Sequence, residues 1–167
     1  MYKSGIKMPC PGQLSPQRIS SKEVSAKFQT YPIKARRLLR SLRRLIIETG
    51  SALEPVGPLE ETLKWGEPAY LTRESKSGST VRLDWKLKNP DFVAVYFKCT
   101  ADLVPVFRRK YSGKLSFEGN RSILLKIGSP VPVRELEVCI AMSLTYHLNK
   151  KLPAERRWKF VEELLRG

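Results

Sequence analysis

The sequence predicts an α+β domain of two layers, in which helices pack on one face of a mainly antiparallel sheet. Apolar residues recur at helical spacing near both ends of the chain, whereas in the middle they alternate with polar residues. The predicted strands follow one another through short turns, which favours antiparallel pairing. A chain of 167 residues buries enough surface for one domain without a disulfide or a metal ion to support its core.

The N-terminal segment differs in composition from the rest of the chain. Residues 1–22 contain prolines, glycines and serines with scattered lysine and arginine, and they show no hydrophobic period. This composition is typical of a disordered basic tail, although a partner that binds the segment would order it. We therefore predict a tail at residues 1–22 followed by a single domain at residues 23–167.

An arginine-rich helix is expected to open at Tyr31-Pro32, because proline suits the first helical position, and to stop at Gly50. One stripe of this helix is apolar and consists of Leu38, Leu39, Leu42, Leu45 and Ile46. The opposite face carries Arg36, Arg37, Arg40, Arg43 and Arg44. Like charges three and four residues apart repel one another, and no acidic residue relieves them before Glu48.

The remaining elements follow from periodicity and from the turn residues between them. We predict a short helix at 59–65, a turn at 66–70, a loose loop at 72–80, strands at 81–88 and 92–99, a helix at 102–111, and strands at 115–117 and 122–127. A long helix is expected at 133–150, and a last helix opens at Leu152-Pro153.

One motif resembles a known family. The run Glu61-Thr62-Leu63-Lys64-Trp65-Gly66-Glu67-Pro68-Ala69-Tyr70 is similar to the signature of the YdhG-like family, a bacterial domain of unknown function. Tyr31-Pro32, the strands between Val81 and Ile127, and the helix after Pro130-Val131-Pro132 extend the resemblance over residues 27–150. The resemblance implies a frataxin-like two-layer fold, and the last helix falls outside it as a C-terminal helical extension. For one bacterial branch it also implies an intracellular iron chaperone.

The charge of the chain predicts an anionic partner. There are 31 Lys and Arg against 16 Asp and Glu, which gives a net charge of +15. The excess lies mainly in the first 50 residues and the last third of the chain, and such concentration is the expected footprint of an anionic partner, for which nucleic acid is the leading candidate. We expect phosphate contacts from Arg37, Arg40 and Arg44, assisted by Arg108, Arg109 and Lys126. The alternative is a solvated surface that only keeps the protein soluble.

The Trp-Gly-Glu-Pro motif offers a second candidate site. Trp65 and Tyr70 would form the walls of a pocket, and Glu67 would supply a polar group for a small ligand or a reaction. The alternative is structural: Trp65 anchors the core, and Gly66 and Pro68 set the geometry of the turn.

Several chemistries find no support in the sequence. It has no P-loop, GxGxxG, GxSxG or HExxH motif, and His147 is its only histidine. We therefore expect a non-enzymatic protein without a cofactor. Iron would enter only with a frataxin-like activity, which needs a carboxylate cluster that would include Glu60, Glu61 and Glu67.

The cellular setting is predicted from the cysteines and from hydropathy. Cys10, Cys99 and Cys139 are widely spaced and form no CxxC pair, which is typical of reduced thiols in the cytoplasm. No apolar segment is long enough for a signal peptide or a membrane span. The sequence thus predicts a cytoplasmic protein without a membrane partner.

Overall fold

The computed structural model describes residue 19 and residues 21–167. Within this part the chain forms six α-helices and six β-strands. The helices are α1 (Lys22–Thr30), α2 (Ile33–Ala52), α3 (Leu103–Tyr111), α4 (Val133–Leu144), α5 (Tyr146–Asn149) and α6 (Ala154–Arg166). The strands are β1 (Glu60–Lys64), β2 (Glu67–Leu71), β3 (Val81–Trp85), β4 (Phe92–Tyr96), β5 (Ser116–Glu118) and β6 (Ser122–Lys126).

The strands form one open sheet in the order β1-β2-β3-β4-β6-β5, and every neighbouring pair is antiparallel. α2 packs against β3 and β4, and α4 packs against both α2 and β3. These contacts confirm the predicted two-layer α+β class with a mainly antiparallel sheet.

The alternation of apolar and polar residues separates the two faces of the sheet. The apolar face carries fully buried side chains from β3, β4 and β6: Val81, Leu83, Val93, Val95 and Ile123. The opposite face, here called the polar face, carries Arg82 and Asp84 of β3, Tyr96 of β4 and Lys126 of β6. The core therefore lies between the apolar face and the two long helices.

A helix that the sequence analysis missed precedes the arginine-rich helix. Ser21 caps α1 through its side chain, which accepts a hydrogen bond from the backbone of Val24, and Val24 and Phe28 are fully buried. Residues 21 and 22, which we predicted to lie in the tail, thus belong to the start of α1. The rest of the predicted tail, apart from residue 19, lies outside the described residues.

The predicted helix at 59–65 is wrong, because this segment forms strand β1 of a hairpin with β2. Lys64 pairs with Glu67, so only Trp65 and Gly66 form the turn. Both have positive φ angles, 57° for Trp65 and 73° for Gly66, as a type I′ turn requires. The hairpin lets Tyr70 bury its ring in the core, which an isolated short helix would not do.

The predicted stop at Gly50 is also wrong, since α2 continues to Ala52. Gly50 lies inside the helix and is buried against Leu59. A methyl group at this position would lie 2.8 Å from Cγ of Leu59. The glycine thus provides space for packing and does not end the helix.

The long helix predicted at 133–150 is broken at Thr145 into α4 and α5. Groups in the loop between β2 and β3 donate hydrogen bonds to the backbone carbonyls at the break. The backbone N–H of Ser79 donates to Ser143 (2.8 Å), and the hydroxyl of Ser77 donates to the carbonyl of Leu144 (2.7 Å). The backbone of His147 then donates to Ser77 (2.9 Å). The predicted loose loop at 72–80 is therefore held firmly against the helices.

α6 docks on α3 and α4 through Val161 and Trp158. Val161 is fully buried, and the Trp158 ring lies 5.5 Å from the ring of Tyr111 and 6.1 Å from that of Phe107. Nζ of Lys110 lies 4.5 Å above the Trp158 ring. The C-terminal extension is thus part of the packed domain.

Acidification is expected to weaken the docking of α6. Nζ of Lys110 donates to Oε1 of Glu162 over 2.8 Å, and this hydrogen bond lowers the pKa of Glu162. Because folding lowers this pKa, the contribution to stability is present above the ordinary glutamate pKa of about 4.3 and is lost as the pH falls through the lowered value. Urea denaturation at several pH values should show that Glu162→Gln loses less stability on acidification than the wild type. An unchanged pH profile would contradict this prediction.

Candidate functional site

Three exposed arginines form a stripe on α2. Arg37, Arg40 and Arg44 are spaced three and four residues apart, so they lie on one face of the helix. From Arg37 to Arg44 the stripe extends about 10 Å along the helix axis. Nε of Arg44 lies 4.0 Å from Glu48, and no ion pair joins Arg37 or Arg40 to a carboxylate of the described residues. We call these three residues the α2 arginine stripe.

The other two arginines of the predicted basic face have internal roles. Arg36 donates hydrogen bonds of 2.9 Å to the backbone carbonyls of both Gln29 and Tyr31, and so joins the end of α1 to α2. Arg43 is buried and donates to Glu61 on β1, with Nε–Oε2 at 2.5 Å and Nη2–Oε1 at 2.9 Å. The prediction that Arg43 belongs to the solvent-facing side is therefore wrong, because the helix turns it toward the carboxylate.

The assisting cations lie on other elements. Arg109 on α3 and Lys126 at the end of β6 are exposed. Arg108 is half-buried: its guanidinium lies 5.4 Å from the ring centre of Phe117 and donates to the carbonyl of Gly119. The structure thus brings together the three arginines of α2, whereas Arg108 and Arg109 lie on α3 and Lys126 lies on β6.

The structure does not bring Trp65, Glu67 and Tyr70 together into a pocket. Trp65 stands at the tip of the β1–β2 hairpin with 90% of its surface exposed, so it does not anchor the core either. Glu67 points to the polar face and Tyr70 to the apolar face, because they are three positions apart along a strand and side chains alternate between its faces. Burial raises the pKa of Tyr70 well above its usual value.

Glu67 is held by cations on the polar face. It is buried, it pairs with the guanidinium of Arg82, and its Oε1 lies 3.2 Å from Nζ of Lys86. Arg82 and Lys86 also lie 5.5 and 5.3 Å from the ring centre of Tyr96. Burial raises the pKa of Tyr96 despite the nearby charge of Lys86. Glu67 therefore acts as a counterion within the sheet and not as an open ligand.

Asp84 connects the sheet to the junction between α1 and α2. The hydroxyl of Tyr31 donates to Oδ1 of Asp84 over 2.7 Å, and Nζ of Lys27 lies 4.0 Å from the same oxygen. Burial and this hydrogen bond raise the pKa of Tyr31 far above its usual value, so the hydroxyl remains a donor. The alternation in the sequence placed Asp84 on the polar face, but nothing in the sequence indicated a partner 53 residues away.

The carboxylates that an iron site would need are each paired with an arginine. Glu60 pairs with Arg73, Glu61 with Arg43 and Glu67 with Arg82. Glu60 and Glu61 are adjacent on β1 and point to opposite faces. Across residues 21–167, no group of three or more His, Cys, Asp or Glu side chains is arranged to hold a metal ion.

The comparisons with known proteins found no similar protein. Compared with protein-family models, curated proteins and solved structures, the chain has no match. The resemblance to the YdhG-like family therefore stays a prediction. No helix among the described residues is long and apolar enough to cross a membrane.

Proposed function

We propose that this protein is a non-enzymatic binding protein whose α2 arginine stripe contacts the phosphates of a nucleic acid. The observation that carries the proposal is the exposure of Arg37, Arg40 and Arg44 on one face of a 20-residue helix. Arg43 and Arg36 have partners inside the fold, whereas Arg37 and Arg40 have no ion pair with a described carboxylate.

Electrostatics supports an anionic ligand at this stripe. Arginines three and four residues apart repel one another and destabilise the helix, and a bound phosphate would relieve this repulsion. The planar guanidinium donates two parallel hydrogen bonds to phosphate oxygens, which suits a nucleic-acid backbone. The net charge of +15 would speed the approach of a polyanion. Arg109 and Lys126 are exposed and available for further contacts, and Arg108 lies beside Arg109 on α3.

The same proposal treats the chain as a YdhG-like domain of the bacterial cytoplasm. The motif that carries the resemblance, Trp65 to Tyr70, forms the turn and second strand of the first hairpin. In this setting the basic surface would distinguish the protein from members that handle iron, because a strongly positive protein repels cations at long range.

The first test removes the charges of the stripe. Fluorescence anisotropy of a labelled short RNA and a labelled duplex DNA, titrated at several salt concentrations, measures affinity and its salt dependence. The variant Arg37→Gln/Arg40→Gln/Arg44→Gln should bind both more weakly. The slope of log K against log salt should fall by about one unit for each phosphate that the variant no longer neutralises.

A matched control removes the same charge elsewhere. Lys150, Lys151 and Arg156 are exposed near the C-terminus, and their replacement by glutamine changes the net charge equally. We expect this control variant to keep a slope close to that of the wild type. If wild-type protein does not bind at low salt, or if both variants lose affinity equally, the stripe is not a phosphate-binding surface.

A further inference from the structure

The tip of the first hairpin and the β3–β4 loop meet at one end of the sheet. The turn at Trp65 and Gly66 precedes β2, the loop at 86–91 follows β3, and β2 and β3 are antiparallel. The loop is held by its own hydrogen bonds: the indole Nε1 of Trp85 donates to the carbonyl of Pro90 over 2.9 Å. We call Lys64, Trp65, Lys86 and Lys88 together the Trp65 end.

Trp65 combines two unfavourable features. Its φ of +57° places a bulky side chain in the left-handed region, where asparagine or glycine is preferred at a type I′ turn. Its indole is 90% exposed, although burial of an aromatic ring is strongly favourable. Neither the bulky side chain at this φ nor its exposure stabilises the described fold, and backbone strain of this kind clusters at functional sites.

The exposed charges at this end of the sheet are mostly positive. Lys64, Lys86 and Lys88 are all exposed, and Lys64 and Lys88 have no ion pair with a described carboxylate. Lys86 is bound to Glu67, and Asp91 is an exposed carboxylate in the same loop. On the polar face, half-buried Phe92 pairs with exposed Lys126 at this same end of the sheet. An exposed aromatic ring and exposed lysines at one end of a sheet are complementary to a base joined to a phosphate.

We propose that the Trp65 end binds single-stranded nucleic acid, with one unpaired base stacked on the indole of Trp65 and the adjoining phosphates beside Lys64 and Lys88. This inference rests on the proposed function and extends it to a second surface and to a class of substrate. An exposed ring at a hairpin tip offers a flat face to any base, so the contact does not require a particular sequence. In a duplex the bases are stacked on one another, so the same ring finds no free base.

The variant that tests this proposal is Trp65→Asn. Asparagine is favoured with glycine at a type I′ turn, so the hairpin should be kept and the melting temperature should equal or exceed that of the wild type. Removing the stacked ring should weaken binding of a single-stranded oligonucleotide by about 5- to 150-fold, the range that alanine substitution of base-stacking aromatics gives. Binding of the duplex of the same sequence should change less than about twofold.

Two further variants complete the test. Leu87→Ala is the matched control, because Leu87 is 80% exposed at the same end but has no aromatic ring, and it should bind like the wild type. Trp65→Phe should recover part of the lost affinity for the single strand. The affinity of both variants for the single strand is measured by fluorescence anisotropy beside that of the wild type. Binding of the same proteins to vesicles that contain phosphatidylserine is measured by sedimentation.

The outcomes separate this inference from the proposed function. If the wild type binds neither single strand nor duplex, the proposed function fails and this inference fails with it. If the wild type binds but Trp65→Asn binds the single strand equally well, the inference alone is overturned. Equal losses of oligonucleotide affinity in Trp65→Asn and Leu87→Ala would also overturn the inference and indicate a purely apolar contact. Vesicle binding that depends on Trp65, without a loss of oligonucleotide affinity, would overturn it as well and indicate a lipid surface.

Discussion

Gly78→Ala is expected to destabilise the protein by about 3–5 kcal/mol, a large part of the stability of a typical domain. Gly78 lies across the break between α4 and α5 and is in direct contact with the backbone of the helix at this break. A methyl group on Gly78 would lie 2.2 Å from the carbonyl carbon and oxygen of Leu144 and 2.3 Å from the carbonyl oxygen of Ser143. Because these are backbone atoms, no rotamer change relieves the clash, and the loop must move away.

That movement would break the hydrogen bonds on both sides of Gly78. The N–H of Ser79 and the hydroxyl of Ser77 donate to the two carbonyls at the helix break. Without these bonds, buried polar groups would be left without partners, which adds to the steric penalty.

Gly113→Ala is the matched control for this prediction. Gly113 follows α3, its φ is not in the left-handed region, and no atom lies within 4 Å of the methyl group that alanine would add. We expect a change within about 0.5 kcal/mol for this variant. Urea denaturation followed by circular dichroism measures both. Equal stability of the two variants would show that the loop does not contact the helix break in the way described.

Breaking the buried ion pair between Arg43 and Glu61 is expected to have a similarly large effect. The two side chains are only 8% and 6% exposed, and two hydrogen bonds join them. Removing one partner leaves a charge in a poorly solvated position, and such changes destabilise proteins by about 3–5 kcal/mol. We therefore expect both Arg43→Met and Glu61→Met to lower the free energy of unfolding by this amount, measured in urea.

A double-mutant cycle separates the ion pair from simple loss of packing. The variant Arg43→Met/Glu61→Met leaves no unpaired charge at this position, so it should be more stable than the sum of the two single effects predicts, by at least about 1 kcal/mol. Additive losses would mean that the two residues contribute independently and that the pair itself contributes nothing.

The sequence predicted the elements whose signals are local. Alternation located β3 and β4, and the turn at Gly119-Asn120 located β5 and β6. Helical spacing located α2, α4 and α6, and Pro105 marked the start of α3. Strands β1 and β2 were missed because their residues do not alternate clearly, and the Trp65–Gly66 turn lacks the asparagine or aspartate that usually marks such a hairpin. The break at Thr145 was missed because its cause is a loop that lies far away in the chain.

In the candidate site, too, local spacing predicted some features and the packed fold decided the others. Helical spacing alone placed Arg37, Arg40 and Arg44 on one face, and the structure leaves all three exposed. The same spacing put Arg43 among them, because periodicity gives the direction of a side chain only approximately and does not show a carboxylate on a neighbouring strand. The exposure of Trp65 was also not predicted, since tryptophan is on average highly buried in folded proteins.

Composition and local spacing were enough to predict the fold class, the large positive charge and the arginine face of the long helix, because these features arise within single elements. The packed fold was needed to show which charged and polar groups are paired: Arg43 with Glu61, Arg82 with Glu67, and the Tyr31 hydroxyl with Asp84. The physical reason is that ion pairs and buried hydrogen bonds join residues far apart in the chain. Their formation depends on distances that only the packed sheet and helices define.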